Sequence, residues 1–140
     1  MTHFLRSLGT LFCVLVVGCS DTQLSEKDID ASLVQLEYAE SEFRIQSYDK
    51  CIDIVDTIMK KGALLPDSFQ KAILMRAECY LMLGKMDDAK EDVATAEQSG
   101  EQPEKVFELK YRIAKAKNDS AGANEAYQSL LQINPNTRVQ

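Results

Sequence analysis

Residues with almost no side chain recur in this sequence at a spacing that a stack of short helical hairpins explains. Cys51, Ala89 and Ala123 occupy equivalent places in three similar stretches, 38 and then 34 residues apart. Around them Val55, Val93 and Tyr127 fall into register, as do Ile58, Ala96 and Leu130. In the central stretch, residues 69–97, two amphipathic helical patterns meet at Gly84, with Ala77 and Ala89 where the two helices would cross. Small residues at a crossing let the helix axes approach closely. Glycine suits the junction because it takes a left-handed backbone at a helix end without steric penalty. The same turn position reads Gln46, Gly84 and Asn118 in the three stretches. A repeat of this length is one hairpin that cannot bury its apolar face alone and so stacks on its neighbours.

The register predicts an all-α fold of six helices, roughly 27–46, 48–61, 68–83, 86–99, 103–117 and 120–133. The longer first interval places four extra residues in the loop at 60–66, which holds Gly62 and Pro66. Pro66, Pro103 and Pro135 each follow a second helix, where proline stops one helix or starts the next. Asp67 with Gln70 reads as a cap-and-return pair for the third helix, and Asp119 as the cap of the sixth. Units one and two carry Ala39 and Ala77 at the crossing of the first helix. Unit three has Tyr111 there and Ala114 one turn later, which predicts an altered crossing.

This pattern, over about residues 32–135, resembles the tetratricopeptide repeat, a helix-turn-helix unit of 34 residues. The resemblance implies an α-solenoid of about three units that binds other proteins in a concave trough lined by the first helix of each unit. Carried over by register, the trough residues are Leu33, Leu36, Glu40, Phe43 and Arg44 from unit one. Unit two supplies Lys71, Leu74, Glu78, Leu81 and Met82, and unit three Lys105, Glu108, Arg112 and Lys115. Such a trough would be apolar at one end and basic at the other. It would suit a segment with apolar anchors followed by carboxylates.

The amino terminus reads as an address. Arg6 precedes an apolar run through residues 7–17, too short for a span that needs about 20 apolar residues. The run ends in Val16-Val17-Gly18-Cys19, which resembles the lipobox of bacterial lipoproteins. That resemblance implies cleavage after residue 18 and a diacylglycerol on the Cys19 sulfur, with no other cofactor. Two or three acyl chains anchor stably, at about 0.8 kcal/mol per buried CH₂. By the sorting rule of that family, Ser20 rather than Asp after the cysteine implies the outer membrane, on the periplasmic side. Residues 19–27 form the lipidated tether, roughly 15 Å of flexible chain. Residues 28–135 form the repeat domain, and 136–140 a short tail.

Composition narrows the function classes. The formal net charge of -6 disfavours a nucleic-acid partner. The single histidine, His3, falls in the segment expected to be removed, which takes away the commonest general base and zinc ligand. No phosphate-binding glycine loop, paired cysteine ligands or nucleophile beside a base is legible, so an enzyme is not expected. Cys51 and Cys79 fall on different interfaces in this register and read as small buried apolar residues. Because only residues 136–140 follow Pro135, Ala126, Leu131 and Ile133 are expected to lie exposed on the last helix. That face would dock a partner or a second copy in a homodimer.

The functional expectation is a membrane-anchored adaptor of the bacterial cell envelope. It would bind a protein or peptide segment during assembly of a secretion, pilus or outer-membrane complex. The alternatives are a regulatory subunit of a cell-wall enzyme, and an unrecognised enzyme or small-ligand carrier.

Overall fold

The computed structural model describes residues 25–139, all of whose regular elements are helices. They are α1 (Glu26–Arg44), α2 (Tyr48–Lys61), α3 (Pro66–Met82), α4 (Met86–Ser99), α5 (Pro103–Ala116) and α6 (Ser120–Ile133). Successive pairs form hairpins that stack as a short solenoid. α2 packs on α3 and α4 on α5, while α1, α3 and α5 also touch in sequence along one face. No described helix is long and apolar enough to cross a membrane. The expected signal segment, Cys19 and the expected tether up to residue 24 lie outside the described residues, and α1 takes in Glu26 and Lys27 at the end of that expected tether.

One turn is used three times. Gln46, Gly84 and Asn118 have φ of 63°, 74° and 57°, all left-handed. After each, the next amide reaches back to a helix carbonyl: Ser47 to Glu42 at 2.9 Å, Lys85 to Tyr80 at 2.9 Å and Asp119 to Ala114 at 2.8 Å. The left-handed residues themselves donate to Phe43, Leu81 and Lys115. Paired bonds of this kind satisfy carbonyls that a helix end leaves orphaned, and they fix the reversal into the second helix. Ala39, Ala77, Cys51 and Ala89 are fully buried at the crossings they were expected to occupy. In the third hairpin Tyr111 and Tyr127 instead lie tilted against each other, ring centroids 6.1 Å apart, and Ala114 is buried one turn later.

Two helices start earlier than the spacing predicts. α1 begins at Glu26 because Ser25 caps it, its side chain accepting from the Asp28 amide at 3.2 Å. α3 begins at Pro66, two residues before the expected start, because proline at the first helical position loses only an amide that would be orphaned anyway. Asp67 and Gln70 therefore do not form a capping pair. Gln70 points inward and is 1% exposed. Its Nε2 donates to the Ala96 carbonyl at 3.1 Å and the Glu101 carbonyl at 3.0 Å, and its Oε1 accepts from Ser99 Oγ at 2.6 Å. Gln70 thus pins the end of α4 and the loop into α5 to the start of α3. Asp119 does cap α6, its Oδ1 accepting from the Gly122 amide at 2.9 Å.

Two apolar clusters run through the stack. Ile73, Leu74, Val93, Val106, Leu109 and Ile113 belong to one, and Leu36, Ile52, Val55, Ile58 and both cysteines to the other. Met59 and Tyr80 pack against both and join them. The placement of Cys51 and Cys79 on different interfaces is corrected, since they share a cluster between α2 and α3. Both are free thiols. The Cys51 sulfur, with burial, pushes the Cys79 thiol well above its ordinary range.

Gln70→Ala removes one buried and two part-buried hydrogen bonds and takes a donor from the Glu101 carbonyl, while Ser99 Oγ keeps its bond to the Ala96 carbonyl at 2.8 Å. A loss of about 2–3 kcal/mol in urea unfolding is expected. An unchanged midpoint would show that water replaces the side chain without cost.

Candidate protein-binding groove

Side by side, α1, α3 and α5 leave a cleft of about 320 Å³ lined by Glu40, Phe43, Arg44, Lys71, Leu74, Met75, Glu78, Gln102 and Lys105. Its apolar part is Phe43, Leu74 and Met75. Phe43 is held in place by the edge of Tyr48, with ring centroids 5.9 Å apart and planes at 63°. Leu74 is almost wholly buried, so it offers a fixed floor rather than a mobile side chain.

Charge around the trough is organised in cross-links between successive first helices. Lys71 on α3 pairs with Glu40 on α1 at 2.5 Å. Glu78 on α3 receives Arg112 at 2.5 Å and Lys105 at 3.2 Å, both from α5. Lys105 and Arg112 also approach Glu108, at 3.3 and 3.7 Å. The expected basic end is therefore corrected: two of its cations, Lys105 and Arg112, are neutralised by acids from the same and the preceding unit. Among the described residues Arg44 and Lys115 pair with no carboxylate. Burial alone would raise the carboxyl of Glu78, but Arg112 and Lys105 outweigh it and hold it below the ordinary 4.5.

Other expected residues fall elsewhere. Leu36 faces α2 and belongs to the core rather than the cleft, because its place on α1 looks into the hairpin. Leu33 and Leu81 are half-buried, and Lys115 is exposed. Met82 is 50% exposed, with Arg112 donating to its sulfur at 3.7 Å. Arg112 lines a separate polar recess with Glu108, Arg138 and Val139. Met75 and Gln102 line the groove but were not expected. Met75 sits one position past Leu74, and Gln102 sits in the loop before Pro103 with a left-handed φ of 46°. A loop residue with unusual backbone leaves no periodic signal.

The exposed end face also needs correcting. Ala126 is buried, facing the cleft between α4, α5 and α6, because that side of α6 packs inward. Leu131 is half-buried, and Ile133 alone of the three is exposed, at 43%. The chain after α6 turns back along α5: Asn134 Nδ2 donates to Glu104 at 3.1 Å. Residues 134–139 thus lie where they shield part of α5.

Among the described residues no three potential metal ligands come together. No protein-family model, curated protein or solved structure matches the chain.

Because the folded-state pKa of Glu78 is lowered, its contribution is fully present above about pH 4.5 and is lost as pH falls below that. Glu78→Gln is expected to cost roughly 1–2 kcal/mol at pH 7, allowing for partial exposure of its partners. The gap from wild type should shrink as the solution is acidified from pH 5 to pH 3. A gap that stays constant across this titration would mean that Glu78 is held by packing, not charge.

Proposed function

We propose that this chain is a lipid-anchored, tetratricopeptide-like adaptor of a bacterial cell envelope, holding a segment of another protein in the trough between α1, α3 and α5. The cleft carries this reading: a rigid apolar floor of Phe43, Leu74 and Met75, rimmed by balanced ion pairs and one free guanidinium, Arg44. A segment that places an apolar side chain on that floor and a carboxylate near Arg44 fits its chemistry. The recurring hairpins and turns support the repeat assignment, and the run Val16-Val17-Gly18-Cys19 supports the anchor. The envelope complex served would be one whose assembly takes place at the membrane surface, the outer membrane being favoured by Ser20.

Arg44→Glu with Lys115→Glu changes only exposed, unpaired cations and should leave folding intact. Recovery of the envelope protein bound to wild type is expected to drop about tenfold or more with this variant. Undiminished recovery would remove the trough as the binding surface. In the same cells, labelled palmitate should enter wild type and not Cys19→Ala; label in both would remove the anchor.

A further inference from the structure

The two seams between hairpins occupy equivalent places in the repeat, and one of them lacks its filling. In the first seam Tyr80 lies between α2, α3 and α4, joining both apolar clusters. Arg76 lies beside its ring, 5.9 Å from the centroid. The Arg76 guanidinium donates to Asp92 at 2.8 and 2.7 Å and to Asp56 on the opposite side. Ile52, Met59 and Leu83 complete this apolar packing. Shifting by 38 residues for α2 and by 34 for α3 and α4 maps this seam onto the next. Tyr80 becomes Ala114, Arg76 becomes Lys110, and Asp56 and Asp92 become Ala94 and Ala126. Ile52, Met59 and Leu83 become Lys90, Glu97 and Lys117.

Those replacements leave a cleft of about 420 Å³ between α4, α5 and α6, and all seven replacing residues line it. Val93, Phe107 and Ile113 give it an apolar wall. At the Tyr80 position the second seam has no ring, its aromatic lining being Phe107 on the wall with Lys110 Nζ 5.2 Å from the centroid, and the two carboxylates that grip Arg76 are replaced by alanines. The cations remain. Lys110 is shared with Glu97 at 2.5 Å and Lys117 with Asp87 at 2.9 Å, both pairs substantially exposed. Lys90 pairs with no carboxylate among the described residues. Asp119 is engaged by the Gly122 amide, and Glu125 stands at the α6 rim.

We infer that this cleft receives an aromatic side chain, flanked by carboxylates, from a partner protein, taking the place that Tyr80 fills in the first seam. The ring lies against Ala114 and Ala126, and the carboxylates meet Lys90 and Lys110. Exposed pairs such as Lys110–Glu97 are weak in water, so Lys110 exchanges partners at little cost. Ala94 and Lys90 are exposed, so the cleft is open to solvent along α4. An open cleft suits a side chain still attached to its own backbone, whereas sites for free small molecules bury most of the ligand. The surface is separate from the α1–α3–α5 trough and stands whether or not that trough binds.

The test uses the full chain labelled at alanine methyls and an acetylated Gly-Asp-Tyr-Asp-Gly amide as probe. Saturable shifts at Ala94, Ala114 and Ala126 are expected, with about tenfold weaker binding of the Gly-Lys-Tyr-Lys-Gly counterpart. Ala114→Tyr supplies the missing ring from within and should abolish the shifts. Lys90→Glu, on the exposed rim, should weaken the acidic peptide about threefold or more without disturbing the fold. Absence of saturable shifts, equal binding of the two peptides, or full binding to Lys90→Glu would overturn the inference. So would tighter binding of free 4-hydroxyphenylacetate than of the acidic peptide, which would make the cleft a small-molecule site.

Discussion

A single guanidinium holds the first two hairpins together. Arg76 leaves α3 and grips Asp92 on α4 with two parallel hydrogen bonds, while its remaining nitrogen reaches Asp56 on α2. The planar fork of arginine matches a carboxylate in a way that lysine cannot. Asp92 is almost wholly buried, so its charge is tolerable only with Arg76 in place. Breaking such a pair by removing one partner costs about 3–5 kcal/mol, because the other charge stays buried and uncompensated. Ion pairs such as Lys85–Asp49, exposed on both sides, contribute little by comparison.

The geometry of this seam depends on the turns that precede it. The left-handed residue at Gly84 sets α4 against α3, which brings Asp92 within reach of Arg76. Gln70 fixes the far end of the same pair by satisfying carbonyls of α4 and its following loop. Close helix approach at Ala77 and Ala89 completes the constraint. The next seam keeps the turn and loses the fork and ring, because Lys110 and Ala114 stand where Arg76 and Tyr80 would be. One architecture thus yields a closed joint and an open one.

Much of this was legible in the sequence because it is local or periodic. The six helices and the turn at Gln46, Gly84 and Asn118 follow from spacing; glutamine, which has no special liking for a left-handed backbone, was placed by register alone. The all-helical fold was legible for the same reason. The role of Arg76 was not, since its partners lie 20 residues before and 16 after it on other helices. Gln70 reads as a helix-start residue, and nothing nearby in the chain announces the carbonyls it serves. The trough was expected to be basic at one end because Lys105, Arg112 and Lys115 cluster in sequence. Glu78, from the preceding unit, neutralises the first two, and that pairing depends on side-chain geometry across helices. The proximity of Cys51 and Cys79 is illegible for the same reason, because the shared cluster between α2 and α3 crosses the unit boundary.

The trough and the open seam lie on different sides of α5, and both offer an apolar floor beside cations. The seam gripped by Arg76 and filled by Tyr80 is the stronger joint, and its emptier copy between α4, α5 and α6 the weaker. Native-state hydrogen exchange tests this most directly, by comparing the amides of Ile73 and Ala77 in α3 with those of Leu109 and Ile113 in α5. The α5 amides should exchange through an opening of α5 and α6 that is easier by at least about 1 kcal/mol than the one exposing α3. Equal protection, with both helices exchanging only on global unfolding, would contradict it.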